Sequence, residues 1–225
     1  MANPGSFATI ILADHRGVSQ SAQYRSWHSF NYGEYQNPHR EAPGALRAFN
    51  EDTLAGGQYI SHNCDQNATV LLLPLVGGIN VHFSEKSWSV EAGAVLVLPL
   101  QAAELYRIEN PYAAELVSYL HIVLQSSEAT EPCLYPFDLG KNTNQLSTIL
   151  EANHRLLIGQ FGGRVDVEHA LNQVANDAFI FVIDGVFEVQ NRLLHRRDAL
   201  LLPAPEKLEF EALSEGAILL VLEIK

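Results

Sequence analysis

The chain has 225 residues, of which 47% are hydrophobic and 18% charged, a composition typical of a globular protein that buries one large core or two smaller ones. It carries 14 Lys and Arg against 26 Asp and Glu, and the net charge of −12 disfavours nucleic-acid or anionic membrane partners. No run approaches about 18 apolar residues, and Cys64 and Cys133 match no zinc-site spacing. We therefore expect a reduced, cytoplasmic protein with no nucleic-acid or membrane partner.

Short strands dominate the predicted elements. Residues 7–13 form an apolar run too brief for a secretory leader, so they are predicted to form a first strand. Runs rich in Val, Ile, Leu and Phe predict further strands at residues 68–76, 79–83, 94–98, 116–124, 179–183, 186–189, 199–202 and 217–224. A helix is predicted only at residues 145–152, after the cap-like sequence Asn142-Thr143-Asn144. This pattern predicts a β-sandwich or barrel.

One β-unit occurs twice along the chain. LLLPLVGGINV at residues 71–81 and FIFVIDGVFEV at residues 179–189 both read as strand, glycine turn and strand, and a strand ending in proline follows each. Gly77-Gly78 and Asp184-Gly185 are the predicted hairpin turns, because such turns need positive φ angles. The repeat predicts two modules, at residues 1–125 and 151–225, joined by a linker at residues 126–150 in which polar residues and prolines interrupt the strands.

The sequence SWHSFNYGEYQNPHREAPGALRAFNEDTLAGG, at residues 26–57, resembles the opening of the pirin-like bicupins. The ordered matches are His28, Phe30, Tyr35, Pro38, Gly44, Leu46, Arg47, Asn50, Asp52, Gly56 and Gly57. LHIVL at residues 120–124, followed by a degenerate second cupin, is similar to the bacterial branch, some members of which open the flavonol quercetin with dioxygen. The resemblance implies an all-β bicupin fold of two RmlC-like jelly-roll barrels packed together.

The resemblance also implies where a metal site is expected. Family members hold iron or a similar metal in the N-terminal cupin on three His and one Glu, and those positions fall here on Asn63, Asp65, Tyr106 and Ile108. Because none of the expected ligands is present, we expect a degenerate metal site, with no catalytic residue, metal ligand or cofactor. The expected ligand pocket consists of His62, Asn63, Cys64, Asp65, Thr69, Glu104 and Tyr106.

A shift of one residue in register gives an alternative metal site. It places His62 and Cys64 in the paired positions, and general cupin spacing places Glu104 in the second motif. With Cys64 or Asp65 as the middle ligand, this rearranged set of nitrogen, sulfur and oxygen donors suits Fe or Zn.

Other polar residues have structural interpretations. His82 is expected to face solvent, and His121 to be a hydrogen-bonded core residue. The polar residues of the N-terminal segment are expected to anchor that segment to the barrel, with substrate binding at its mouth as the alternative: His28, Arg47, Asn50 and Asp52. His169 and Asp177 precede the second glycine turn without a His-x-His motif, so the C-terminal module is expected to be structural.

Two functions are compatible with these features. The first is a non-catalytic pirin-like bicupin that binds a small molecule or acts as an interaction protein, because oxygen chemistry needs a redox metal. The alternative is a metal-dependent oxygenase resembling quercetin 2,3-dioxygenase, with a rearranged ligand set. The acidic charge is compatible with a protein partner, but nothing in the sequence identifies one.

Overall fold

The computed structural model describes residues 8–126, 131–171 and 177–225, and these residues are almost entirely β-structure. Their one helical element is the single 3₁₀ turn Ala13–His15. The all-β prediction is therefore confirmed. None of the described residues belongs to a helix long and apolar enough to cross a membrane.

The chain divides into two compact units. The N-terminal unit is Arg16–Phe137, and the C-terminal unit combines Asp138–Lys225 with the residues that precede Arg16. This division differs from the predicted modules at both ends of the first one. The first strand, Thr9–Ile11, pairs within the C-terminal unit, and Cys133–Pro136, inside the predicted linker, pairs within the N-terminal unit. Phe7 of the predicted first strand and residues 127–130 of the linker lie outside the described residues.

The N-terminal unit contains two antiparallel sheets whose apolar side chains share one core. The seven-stranded sheet runs in the order β12 (Cys133–Pro136), β9 (Ala94–Leu100), β6 (Ala68–Val76), β11 (Val117–Gln125), β4 (Leu46–Leu54), β3 (Tyr24–His28) and β2 (Gly17–Gln20). The four-stranded sheet runs β5 (Tyr59–Asn63), β10 (Leu105–Glu109), β7 (Ile79–Phe83) and β8 (Lys86–Val90). Alternate residues of each strand point between the sheets, which is the expected outcome of the two-residue period.

The C-terminal unit repeats this arrangement with fewer strands. Its larger sheet runs β1 (Thr9–Ile11), β19 (Ala199–Pro203), β16 (Asp177–Asp184), β21 (Ala217–Ile224), β14 (Arg155–Phe161) and β13 (Ser147–Glu151). The smaller sheet runs β15 (Val165–Ala170), β20 (Lys207–Ala212), β17 (Phe187–Val189) and β18 (Arg192–Leu194). The two units therefore use equivalent strand orders, as the sequence repeat predicts.

The glycine turns of the repeat occupy equivalent places, after β6 and after β16. Gly77 and Gly185 have φ angles of 71° and 82°, a region that only glycine enters at little cost. Gly78 and Asp184 do not have positive φ angles, so only one residue of each pair adopts the left-handed conformation that was expected of both.

The predicted helix at residues 145–152 is wrong. These residues contain β13, which pairs antiparallel with β14. A helix of eight residues is marginal without tertiary support, and the β-branched side chains of Thr148 and Ile149 favour a strand where a sheet edge is available. The cap-like Asn144 instead has a left-handed φ of 63°, and its N–H donates to Gln160 O at 2.8 Å.

Candidate functional site

A cavity of about 470 Å³ lies in the N-terminal unit. The strand-end residues of β5 and the first inward residue of β10 form much of its wall, and five of the seven expected pocket residues line it: His62, Asn63, Cys64, Asp65 and Tyr106. A volume of this size suits a small organic ligand.

Thr69 and Glu104 are not among the residues that line this cavity. Thr69 alternates with Ala68 and Val70, which do line it, so its side chain belongs to the opposite face of β6. The Glu104 carboxylate accepts a hydrogen bond from the Gln101 N–H at 2.7 Å and thereby closes the turn before β10.

Cys64 has the environment of a thiol rather than a thiolate. Its Sγ donates to Gln66 O at 2.6 Å, and burial raises the pKa of the thiol. Because a metal binds the thiolate, neither observation favours Cys64 as a ligand. The rearranged set of His62, Cys64 or Asp65, and Glu104 thus gains no support from the local geometry.

Three other donors converge instead. Asp52 of β4, His62 of β5 and His121 of β11 each offer a ligand atom, and these atoms all lie within 4.8 Å of one another. We call these three residues the donor cluster. Among the residues that the structure describes, it is the one such grouping of three or more His, Cys, Asp or Glu donors.

The potential ligand atoms of the donor cluster are buried and, apart from a contact of the Tyr24 hydroxyl with the Asp52 carboxylate, have no hydrogen-bond partner among the described residues. They are both carboxylate oxygens of Asp52, Nε2 of His62 and Nδ1 of His121. The nearest ion-pair contact joins His121 Nδ1 to Asp52 Oδ2 at 3.5 Å, and no described Lys or Arg pairs with Asp52. Buried carboxylates are ordinarily paired with a cation or coordinated to a metal, so this arrangement calls for a counter-charge.

Tyr106 supports the cluster from the side. Its hydroxyl lies 2.6 Å from His121 Nε2, and its ring stacks on His62 at a centroid distance of 5.2 Å. The stacking follows from the sheet, because Tyr106 and His62 are directly opposite each other in the pairing of β10 with β5. Ile108, two residues further along β10, is fully buried in the apolar core.

The electrostatic environment keeps the nearby groups neutral. Burial, and then the charge of His121, lowers the pKa of His62 to about 3, although Asp52 acts in the opposite direction. Burial, followed by the charge of Asp52, raises the pKa of Tyr32 to about 12 and raises that of Tyr24 further. Burial also raises the pKa of Tyr106 well above its ordinary value. His62 therefore presents an uncharged imidazole at neutral pH, among uncharged phenols.

The remaining polar residues divide between anchoring and the site. His28 Nδ1 lies 3.0 Å from Asn50 Oδ1, and its Nε2 lies 2.8 Å from Ser19 Oγ, so both residues anchor the N-terminal segment as expected. His82 is half-exposed, 3.3 Å from Glu109, also as expected. Arg47 pairs with no carboxylate of the described residues; it lines the cavity instead.

From the sequence, Asp52 is expected to anchor the N-terminal segment, with substrate binding as the alternative, and His121 to be a core residue; neither is expected as a metal ligand. A signal was present for His121, which is buried in the mostly apolar β11, whereas β4 contains several polar residues besides Asp52. This signal was not sufficient to identify the site, because the residue pattern of one strand does not specify which distant strand lies beside it.

Comparisons with known proteins agree with this fold. Residues 140–224 match the family described as the quercetinase C-terminal cupin domain. No curated protein sequence matches the chain.

Several solved structures superimpose on nearly the whole chain. YhhW from Escherichia coli has a TM-score of 0.86 at 18% identity, covering 97% of this chain and 98% of its own. The bacterial pirin YhhW in complex with nickel(II), from the same organism, gives 0.83 at 18% identity, with 97% and 99% covered. Quercetin 2,3-dioxygenase from Acinetobacter baumannii gives 0.72 at 11% identity, with 96% and 85% covered. At these identities the likeness establishes the fold.

Proposed function

We propose that the N-terminal unit of this chain, whose fold is similar to that of bacterial pirin YhhW, binds one divalent metal ion on the donor cluster and a small organic molecule in the adjoining cavity. The observation that carries the proposal is the meeting of buried ligand atoms from Asp52, His62 and His121, with no described Lys or Arg to pair with the carboxylate. A cation at this point would compensate the Asp52 carboxylate and satisfy both imidazole nitrogens.

The residues present do not fit the ligand set that the family resemblance implies. Asn63 is exposed and Ile108 belongs to the core, so the three-histidine, one-glutamate arrangement is not available. They do fit a different set, because two histidines and one carboxylate are the ligands of non-haem iron(II) oxygenases and leave positions open for substrate. Iron held in this way supports oxygen chemistry on a bound organic molecule, which is the reaction class we propose.

The protein's own groups would prepare the site in three ways. His62 is uncharged, so its Nε2 lone pair is free to bind a cation. With His121 protonated at Nε2, the Tyr106 oxygen, 2.6 Å away, would accept a hydrogen bond from that N–H and leave the Nδ1 lone pair, on the side of Asp52, for the metal. Tyr24 and Tyr32 add no competing charge beside the carboxylate, since their pKa values are raised.

Metal content tests the proposal. Untagged protein is purified without chelators, supplied with Fe, Mn, Zn, Ni and Cu, and measured by inductively coupled plasma mass spectrometry. We expect about one equivalent in the wild type and far less in His62→Ala and Asp52→Asn. His82→Ala is the matched control, because this half-exposed histidine lies outside the donor cluster. Full loading of either cluster variant would refute the ligand set.

A metal-free ligand-binding protein is the second candidate function. It is favoured by the short contact between Tyr106 and His121, which places a phenol where the family resemblance implies a metal ligand. In this case the wild type would contain far less than one equivalent of metal. Flavonoids, sugars or organic acids would still raise its melting temperature, and a Tyr106→Ala variant would lose that response.

A further inference from the structure

Arg47 owes its position to an irregularity in the sheet. In the pairing of β4 with β11, Ala48 lies opposite Val123 and Leu46 opposite Leu124, so Arg47 is an extra residue with no partner position. Regular alternation would place its side chain on the face of Phe49, away from Ala48. The β-bulge places Arg47 instead among the residues that line the cavity, together with Val123.

The guanidinium is held in place by three acceptors. Nη1 donates to Gly44 O and to Leu46 O, each at 2.9 Å, and Nη2 donates to Gln125 Oε1. A guanidinium has five N–H donors, so two are left after these three bonds to described residues. A fixed arginine with a spare pair of donors is suited to a carboxylate, which it recognises in a planar, two-bond geometry.

The lining around Arg47 is unusual in its polar groups. Arg47 is its single Lys or Arg among the described residues, and Asp65 is its single carboxylate. Six carboxamide side chains also line the cavity: Asn31, Gln36, Asn63, Gln66, Asn67 and Gln125. Each carboxamide provides both donors and an acceptor, the combination that a ligand hydroxyl group requires.

From this lining we infer that the cavity binds a small organic carboxylate that also carries hydroxyl groups. The carboxylate lies at Arg47, and the hydroxyl groups form hydrogen bonds to the carboxamides. Asp65 disfavours the reverse orientation of the ligand, because it would repel a carboxylate placed beside it. In a chain with a net charge of −12, a cation fixed by a bulge at a cavity wall selects for an anion. The inference rests on the proposed function in that it takes this cavity as the ligand site.

Isothermal titration calorimetry with three matched probes tests the inference. D-gluconate has the carboxylate and the hydroxyl groups, D-sorbitol lacks the carboxylate, and hexanoate lacks the hydroxyl groups. We expect gluconate to bind at least about tenfold more tightly than either of the others, since a hydrogen bond to a charged group contributes at least this much.

Two arginine variants identify the group responsible. Arg47→Gln is expected to weaken gluconate binding about tenfold or more while leaving sorbitol unchanged, and Arg47→Lys to recover part of the loss. Arg25→Gln is the control, because Arg25 is exposed and bonds to Gln20 away from the cavity. Circular dichroism of each variant establishes that it is folded.

Three results would overturn the inference: no probe binds, sorbitol binds as tightly as gluconate, or Arg47→Gln binds gluconate like the wild type. The metal content of Arg47→Gln separates this inference from the proposed function. If Arg47→Gln contains wild-type amounts of metal and binds gluconate with unchanged affinity, only the assignment of a carboxylate ligand is refuted. If the wild type contains no metal but binds gluconate in a way that depends on Arg47, only the proposed metal site is refuted.

Discussion

In the N-terminal cupin, polar side chains of four strands meet beside a cavity, whereas the C-terminal cupin has mostly apolar residues at the same register positions. His62 lies opposite Tyr106, and at the equivalent place His169 lies opposite Leu208. His121 corresponds in the same way to Val221, the residue that pairs with Ile180 of β16. One histidine is thus common to both units, but in the C-terminal unit Leu208 and Val221 stand where the N-terminal unit has Tyr106 and His121.

The counterpart of Asp52 is Gly159, and the structure explains why no larger residue fits there. A Cβ on Gly159 would lie 2.5 Å from Gln145 O and 2.8 Å from the Phe161 ring. Phe161 in turn packs edge-on against Phe210 at a centroid distance of 5.0 Å. The same strand order therefore accommodates either a donor cluster or a packed apolar interior, because the residues at a few inward positions decide which of the two forms.

The largest expected effect is on the packed interior. Phe210→Ala removes a ring that contacts Phe161 and Phe187, and it should lower the free energy of unfolding by about 3–5 kcal/mol. Urea unfolding measures the change. Leu193→Ala, at a side chain that is 53% exposed, should change stability by no more than about 0.5 kcal/mol. Equal effects of the two substitutions would show that the aromatic packing does not stabilise this unit.

Metal addition should distinguish the two histidines that share a register position. At a free zinc concentration about 100 times the Kd, the wild type should gain about 2.7 kcal/mol in free energy of unfolding. His62→Ala should lose this gain, whereas His169→Ala should retain it. Urea unfolding with and without a chelator provides the measurement. A gain that depends on His169 rather than on His62 would show that the metal binds in the C-terminal unit and would contradict the proposed site.

Tyr106, unlike its counterpart Leu208, carries a hydroxyl that contacts His121. Tyr106→Phe removes that contact while keeping the stacked ring, so metal affinity should fall about 10- to 100-fold. Tyr59→Phe, on the exposed side of the same sheet, should leave affinity unchanged. Competition titration against a metal indicator measures both variants. If Tyr106→Phe binds metal like the wild type, the phenol does not orient His121.

The smallest expected effect is the pH dependence contributed by His169. Burial lowers the pKa of His169; Glu223 raises it by a smaller amount, and Arg155 lowers it further. The unfolded chain then binds the proton more readily than the folded one, so this contribution to stability is lost as the pH falls through about 6.5. His169→Gln should reduce the loss of stability between pH 7 and pH 5. Exposed His39→Gln should leave the pH profile of urea unfolding as it is in the wild type.

Several elements were predictable because their information is local. The predicted strands at residues 68–76, 79–83 and 217–224 coincide with β6, β7 and β21, since continuous runs of β-branched and large apolar residues specify buried strands. The segment at residues 145–152 was not predictable in the same way. Its conformation depends on the free edge of β14, and a short segment has no strong preference of its own.

The site was predictable only in part, for the same reason. The sequence leads to His62 and Tyr106, because motif spacing places them near the turn that the family resemblance identifies. It does not lead to Asp52 and His121, which lie 69 residues apart along the chain and belong to no recognisable metal-binding motif. The bulge that turns Arg47 into the cavity is likewise a property of the pairing between two strands.

By itself, the sequence determined the strand content, the twofold repeat and the glycine turns, because side-chain periodicity and backbone φ preferences act over a few residues. Only the tertiary structure decided which polar residues meet. Strand order in a sheet brings β4 and β11 together across more than sixty residues of chain, and burial between the sheets then turns separate Asp and His side chains into one donor cluster.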